Sequence, residues 1–319
     1  MERNEVIQTL RSSLQEAVRR NPADVLFFSG GLDTSILALL SPTTPLLHIC
    51  LEDGGEDLPY AEAAARALGR SLIVRQVSAD EALAAIPEII RIRRSFDPAL
   101  PNDLALYFAF AEARSLGFEV AMTGDGADEL FAGYSYMFDR DLATYIPWLA
   151  GRMHFSSGEL GHWFGMEVRQ PYLDPAVVDL ALSIPPELKV REETGARFGK
   201  WILRRAFEGD LPSPLCWQSK RPIEVGTGFS RLREKVIGML TDEDWAVSVR
   251  LISCDQPYYY RIYRQVVGEI PPPGPGEVPC PHCGAGLPPN AYHCRTCGWY
   301  GGATASSCSP ANGAPPGSR

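Results

Sequence analysis

The chain has 319 residues, 30 basic against 39 acidic, a net charge of −9 and 45% hydrophobic content. That is enough apolar material for one sizeable core plus a small accessory module, and the acidic balance argues against broad binding to nucleic acid or an anionic membrane surface. No apolar run reaches the ~18 residues that a spanning helix needs, so no membrane segment is expected and a cytoplasmic location follows as the expectation.

Val6, Leu10, Leu14 and Ala17 recur at helical spacing and predict an N-terminal helix over residues 5–20. The apolar run Val25-Leu26-Phe27-Phe28 predicts a strand over 24–28. Directly after it stands Ser29-Gly30-Gly31-Leu32-Asp33-Thr34-Ser35, and then Ile36-Leu37-Ala38-Leu39-Leu40. A strand that enters a glycine turn and then a helix aims its backbone N–H groups at one anion-sized space. Gly30 and Gly31 permit close approach of backbone to phosphate, while Ser29, Thr34 and Ser35 add hydroxyls. Asp33 would repel a phosphate unless a hard cation stands between them, so the loop implies a nucleotide with Mg²⁺. The spacing is neither that of the Walker loop nor that of a dinucleotide fingerprint. A ligand-free turn is the alternative reading, common for two glycines but not for this whole string.

Further strands are expected at 46–51, 71–77 and 118–123, with helices at 59–69 and 101–116 between them. Alternation of this kind implies a mostly parallel α/β sheet with ligands at the carboxyl ends of its strands. The last of these strands leads into Thr123-Gly124-Asp125-Gly126-Ala127-Asp128-Glu129-Leu130-Phe131-Ala132-Gly133-Tyr134, a second glycine turn with an acidic helix start. Three acids in such a turn are accommodated by the positive helix end and by a metal, and two such turns suggest one shared Mg²⁺. From about 139 to 267 the pattern is mainly helical, with Asp174-Pro175 opening one helix and Pro185-Pro186 closing it.

Pro271-Pro272-Pro273-Gly274-Pro275-Gly276 suits neither a helix nor a central strand and reads as a stiff spacer. Beyond it, Cys280-Pro281-His282-Cys283-Gly284 and Cys294-Arg295-Thr296-Cys297-Gly298 form two Cys-x-x-Cys-Gly knuckles. Each turns two thiolates toward one point, and four thiolates satisfy tetrahedral Zn²⁺; a rubredoxin-type iron centre and two disulfides are the alternatives. The short gap between the knuckles departs from the commoner ribbon spacings. Only Arg295 is basic between the outer cysteines, so nucleic acid is not favoured as the ribbon's partner. The stretch after residue 300 is too poor in large apolar residues to fold, and Cys308 within it reads as a bystander.

The two glycine motifs together resemble those of the synthetase domain of the asparagine synthetase family, within the ATP-pyrophosphatase (PP-loop) superfamily. The likeness continues through Glu167-Val168-Arg169-Gln170-Pro171-Tyr172-Leu173-Asp174, then Gly199-Lys200-Trp201-Ile202-Leu203-Arg204-Arg205, and Lys220-Arg221-Pro222. It spans residues 22 to about 265. The resemblance implies a Rossmann-like sheet of the adenine nucleotide α-hydrolase type with a helical C-terminal half, to which this chain adds a small zinc-ribbon module. The division expected is an N-terminal helix at 1–21, the synthetase-like domain at 22–268, a Pro/Gly linker at 269–279, the ribbon at 280–300 and a disordered tail at 301–319.

Carried over residue by residue, the resemblance implies that Asp33 and Asp128 hold Mg²⁺, that Ser29, Gly30, Gly31, Leu32, Asp33, Thr34 and Ser35 grip the pyrophosphate of ATP, and that Gly124 and Asp125 lie beside the nucleotide. Lys220 would neutralise charge developing on the phosphates. Backbone at Leu51, the end of the second strand, would contact adenine. Glu167 is a further catalytic candidate, although two residues from Arg169 on an extended segment it faces the same side, and an ion pair is its alternative. The expected activity is ATP-dependent adenylation of a carboxylate with release of pyrophosphate, then amide formation with ammonia or an amine. A different acceptor, a peptide carboxylate or a nucleobase, and a noncatalytic nucleotide-binding scaffold are the alternatives.

Two departures qualify that expectation. The chain opens Met1-Glu2-Arg3 and reaches the phosphate loop by Ser29, so no glutaminase domain is expected ahead of it, and ammonia would come from solution or from a separate glutaminase subunit. The family's Arg-x-Asp pair is not found between Arg152 and Gly165, where this chain has Gly158-Glu159-Leu160-Gly161-His162-Trp163, so the acceptor carboxylate need not be aspartate. The ribbon would then serve a glutaminase subunit or a carrier as a docking platform.

Overall fold

The computed structural model describes residues 2–193 and 195–301; the expected tail beyond Gly301, with Cys308, lies outside the described residues. Val25–Phe27 (β1), Leu46–Leu51 (β2), Leu72–Val77 (β3), Val120–Met122 (β4) and Glu167–Arg169 (β5) form one sheet in the order β3-β2-β1-β4-β5. β1 runs parallel to β2 and β4, and β4 parallel to β5. β1 and β2 are buried along their whole length, which is why they read as apolar runs rather than as alternation, interrupted only by His48, whose Nδ1 lies 2.8 Å from the Phe28 carbonyl oxygen. The strand order reverses beside β1, and the first and fourth strands become neighbours, Leu26 lying opposite Met122. That reversal is where an open α/β sheet opens a crevice at its carboxyl edge.

Arg3–Arg20 (α1) buries Val6, Leu10, Leu14 and Ala17, as its periodicity predicts. These side chains join Leu26, Ile36, Met122, Trp201 and Phe207 in one core, so this helix is integral to the fold of the sheet. Leu32–Leu40 (α2) follows the first glycine turn and Leu58–Ala67 (α3) follows β2. Gly30 has φ +73°, and a Cβ there would lie 2.5 Å from the backbone of Ala61 in α3, so only glycine fits. Further along lie Ala127–Phe131, Leu142–Ala150, Ser156–Trp163 and Pro175–Ser183, the last opened by the Asp174 carboxylate accepting from Ala176 N–H as the Asp-Pro signal predicts.

The chain forms two compact units, one of Met1–Gln76 with Phe108–Thr227, the other of Val77–Tyr107 with the chain from Gly228 onward. In the second unit, helix Ala79–Arg93 is capped by Ser78, whose hydroxyl accepts from Glu81 N–H at 3.1 Å. Phe96 packs its ring on Tyr260 and Tyr263 of helix Gln256–Val266, with centroids 4.9 and 5.2 Å apart.

Lys189 ends the short helix Pro186–Lys189 in the first unit and is 3% exposed. Burial pushes its ammonium down to about 8. Between the folded value and the ordinary 10.5 the unfolded chain holds the proton more firmly, so the penalty is full below about pH 8 and fades as pH rises toward 10.5. Lys189→Met is expected to raise the melting temperature by several degrees at pH 7, through relief of about 3 kcal/mol. A melting series from pH 7 to 10.5 should show that advantage shrinking; an advantage independent of pH would refute the assignment.

Candidate active site and metal centre

Both glycine turns leave the carboxyl ends of the two neighbouring strands β1 and β4, so a non-local strand order brings together motifs about ninety residues apart. They touch: a Cβ built on Gly124 would meet Asp33 Cβ and Thr34 Cγ2 at 3.4 Å. In the first turn the Ser29 hydroxyl lies 3.1 Å from Thr34 Oγ1 and accepts from Gly31 N–H at 3.2 Å, which shapes the loop from within. Tyr172, fully buried, donates its hydroxyl to the Asp33 carbonyl at 3.0 Å and fixes the start of α2.

Four charges line up across the junction. Lys200 Nζ sits 2.5 Å from Asp33 Oδ2 and 2.6 Å from Asp128 Oδ1, and Lys220 Nζ sits 2.9 Å from Asp128 Oδ2. Burial alone would raise the Asp128 carboxyl, but the ammonium groups of Lys200 and Lys220 outweigh it and hold it below the ordinary carboxylate range. Lys220 is correspondingly raised: burial disfavours its charge, and Asp128 and Asp33 restore it. Next to them, burial and then Asp128 push the Glu129 carboxyl up to about 7, and Tyr134 donates its hydroxyl to it at 2.8 Å.

Lys200 is the residue that motif reading passed over, although it stands in the quoted Gly199-Lys200-Trp201 string. It is a non-glycine residue at φ 53°, 3% exposed, pinned by its N–H to the Phe131 carbonyl at 2.9 Å. Neither periodicity nor spacing marks such a lysine. Gly133 explains the closeness of this cluster: a Cβ there would lie 1.9 Å from Asp128 Oδ1 and 2.3 Å from Lys200 Cε. Gly133→Ala is therefore expected to drive the pair apart and to lower turnover about 100-fold while the protein remains folded. Comparing ATP turnover with the thermal melt of the variant checks this; unchanged turnover would count against the cluster being the working site.

Asp125 is held to one side. Its Oδ2 accepts from Thr123 Oγ1 at 2.7 Å, from Ser157 Oγ at 2.6 Å and from Gln170 Nε2 at 2.9 Å. Two sequence candidates find other employment. Glu167 begins β5, opposite Val120, and pairs with Arg169 at 2.5 Å with its side chain 65% exposed, so the ion pair accounts for it and it does not join the carboxylates of the turns. Leu51 donates its N–H to Thr227 O and accepts from Gly54 N–H, both at 2.8 Å, so that N–H is already committed and not open to a base edge.

The orphaned atoms test the fit of a divalent cation. Asp33 Oδ1 is buried and accepts no hydrogen bond among the described residues, and the two aspartates already converge on one positive charge. This donor set suits Mg²⁺, a hard cation that takes one or two carboxylates together with phosphate oxygens.

The cysteines form a second centre, in the other unit. The sulfurs of Cys280, Cys283, Cys294 and Cys297 all lie within 4.8 Å of one another, with Cys280 to Cys297 and Cys283 to Cys294 at 3.7 Å. A tetrahedral ion with metal–sulfur bonds of about 2.3 Å requires edges close to that length. Gly284 and Gly298, at φ 81° and 75°, close the knuckles by donating back to Cys280 and Cys294 carbonyls at 2.9 and 2.8 Å. Short pairings Val278–Pro279 with Gly286–Leu287, and His293 with Tyr300, brace them. The module is stitched into its unit rather than hung from the spacer: Phe96 N–H donates to Thr296 O at 2.8 Å, and the fully buried Gln256 donates to Cys297 O at 2.7 Å.

Among the described residues no helix is long and apolar enough to cross a membrane. A sequence profile described as asparagine synthase matches residues 8–164 and 147–253. The glutamine-hydrolysing asparagine synthetase of Brassica oleracea is 26% identical over 314 residues, which cover 85% of this chain and 54% of that protein. A probable glutamine-hydrolysing asparagine synthetase of Dictyostelium discoideum is 26% identical over 313 residues, covering 84% and 56%. The chain thus spans about half the length of the curated relatives it matches. Among solved structures, the U34-tRNA thiolase NcsA of Methanococcus maripaludis with its 4Fe-4S cluster is 11% identical at a TM-score of 0.30, over 89% of this chain and 85% of that one, a likeness too distant to bear on function. The profile match covers most of the chain and includes both glycine motifs, and on that ground the chain belongs to the asparagine synthase family.

Proposed function

We propose that this protein is an ATP-dependent ligase that adenylates a carboxylate and passes the acyl group to ammonia or an amine. The observation that carries the reading is the junction of β1 and β4, where two glycine turns bring Asp33, Asp128, Lys200 and Lys220 within direct contact. A carboxylate oxygen attacks the α-phosphorus of ATP while the bond from that phosphorus to the pyrophosphate oxygen breaks. The amine then attacks the acyl carbon and AMP leaves with the bridging oxygen.

The chain's part in this is positioning and charge. Backbone N–H groups of Gly30 and of the first turn of α2, Leu32 to Thr34, orient the pyrophosphate, and glycine at 30 and 31 lets them approach it. Lys200 and Lys220 neutralise charge that builds on the leaving group, and burial makes the ammonium of Lys200 count for more than in water. Asp33 and Asp128 would hold Mg²⁺, which when bound supplies positive charge to the phosphate oxygens. Asp125 is fixed beside the nucleotide by Thr123, Ser157 and Gln170. The nitrogen comes from free ammonium, another amine, or a glutaminase subunit. In the second unit the four cysteines hold Zn²⁺ as a structural ion.

The test is pyrophosphate release from ATP and Mg²⁺ by wild type and Asp33→Ala, first with aspartate and ammonium and then with other carboxylates and amines. Carboxylate-dependent release that disappears in the variant supports the reading. ATP binding with no pyrophosphate under any condition would replace it with a nucleotide-sensing scaffold.

A further inference from the structure

A cavity of about 360 Å³ opens next to Asp125, within the same unit as both glycine turns. Gln170 joins the two: its amide donates to Asp125 Oδ2 at 2.9 Å and also forms part of the cavity wall. Behind it Ser157, fully buried, bonds both Asp125 and Gln170, at 2.6 and 3.2 Å, so this wall is rigid. Leu173, also in the lining, lies against the second glycine turn, since a Cβ on Gly126 would fall 2.3 Å from its side chain.

Four large apolar side chains, Met153, Phe155, Leu173 and Val178, make up half of the lining. The lining contains neither lysine nor arginine. Its one ionisable group is His154, which lies 3.1 Å from Glu159, so any positive charge it carries faces a carboxylate already in place. A ligand's second carboxylate placed here would give up hydration without gaining a cation. An apolar group would be desolvated against four apolar side chains, in a volume within the usual range for small-molecule sites.

We propose that this cavity seats the acceptor of the adenylation step, and that it selects a monocarboxylate bearing an apolar side group over a dicarboxylate such as aspartate. The inference rests on the adenylation reading above and adds the substrate class to it. Gln170 is then a positioning residue: its NH2 group is spent on Asp125 and Ser157 and ties the cavity wall to the nucleotide site.

ATP–pyrophosphate exchange tests this, because it reports adenylation without needing the amine. The probes are leucine, phenylalanine and their N-acetyl derivatives against aspartate, with ATP affinity measured separately. Exchange with at least one apolar acceptor is expected to exceed that with aspartate by about 100-fold in kcat/KM. Gly158 lines the cavity, and a Cβ there meets nothing within 4 Å, so Gly158→Leu adds apolar bulk at the cavity wall without a clash at its Cβ. It is expected to raise KM for the apolar acceptor tenfold or more while ATP affinity is unchanged. Met153→Arg, which brings a cation to the cavity, is expected to narrow the gap between aspartate and the apolar acceptors.

Aspartate-dependent exchange equal to or above that of every apolar acceptor would overturn this inference and leave the adenylation reading standing. So would an unchanged acceptor KM in Gly158→Leu. Absence of exchange with all carboxylates, despite ATP binding, would overturn the adenylation reading itself and this inference with it.

Discussion

Asp128→Asn is expected to lower pyrophosphate release at least 1,000-fold. The carboxylate of Asp128 pairs with both ammonium groups of the cluster, Lys200 at 2.6 Å and Lys220 at 2.9 Å, and is 8% exposed. Asparagine keeps the shape and removes the charge, which leaves Lys200 with Asp33 alone and Lys220 without its carboxylate. The stability cost falls on Lys200, which is 3% exposed and is left with a single carboxylate, whereas Lys220 stays within reach of water. The same change removes one of the two carboxylates proposed to hold Mg²⁺. Stability and turnover must therefore be read together, by calorimetry and by pyrophosphate release at a temperature well below the melt of the variant.

The pH dependence of that stability has a fixed sign. Since Lys200 and Lys220 hold Asp128 below its ordinary value of 3.8, its contribution is present above that value and is lost as pH falls through the folded one. Wild type and Asp128→Asn should thus differ most near neutrality and converge in acid. A folded variant with more than a tenth of wild-type release would remove Asp128 from the mechanism.

Loss of the metal from the cysteine centre is expected to lower the melting temperature of the second unit by about 10 °C. The reason lies in what the knuckle touches. With Cys294 to Cys297 in place, the Thr296 carbonyl accepts from Phe96 N–H and the Cys297 carbonyl accepts from Gln256. Release of the knuckle leaves the Phe96 N–H unpaired and Gln256 with the Phe96 carbonyl alone, beside the rings of Phe96, Tyr260 and Tyr263, at about 1–3 kcal/mol for the orphaned donor, besides the binding energy of the ion. Metal analysis of the purified protein should return one zinc per chain, and a chelator or Cys294→Ser should produce the shift. Removal of a stoichiometric metal with no change in the melt would show that the knuckles fold without it, and the visible absorption of an iron–thiolate centre would replace zinc with iron.

What could be read without coordinates was local. The glycine turns at Ser29–Ser35 and Thr123–Tyr134 and the two knuckles each carry their chemistry in a few adjacent residues, because backbone N–H groups, caps and thiolates act over one turn of chain. Four of the five strands and α1 were visible for a similar reason, since apolar patterns reflect burial of whole segments such as β2, whereas the short β5, Glu167-Val168-Arg169, carries no such pattern. Glu167 was legible as a member of a motif and Leu51 as the end of a strand, yet the partners that occupy them, Arg169 and Thr227, differ in kind: the first is two residues away, the second lies far along the chain.

The sequence by itself therefore determined the parts: a glycine turn rich in hydroxyls, an acidic second glycine turn, a cluster of four cysteines and an α/β order of elements. Only the tertiary structure decided how the parts meet, because strand order and helix docking depend on contacts between distant segments. It placed β4 beside β1, set Lys200 between Asp33 and Asp128 where Gly133 leaves room, and opened an apolar cavity behind Gln170. It also bound the metal knuckle to Phe96 and Gln256, which no spacing in the chain announces.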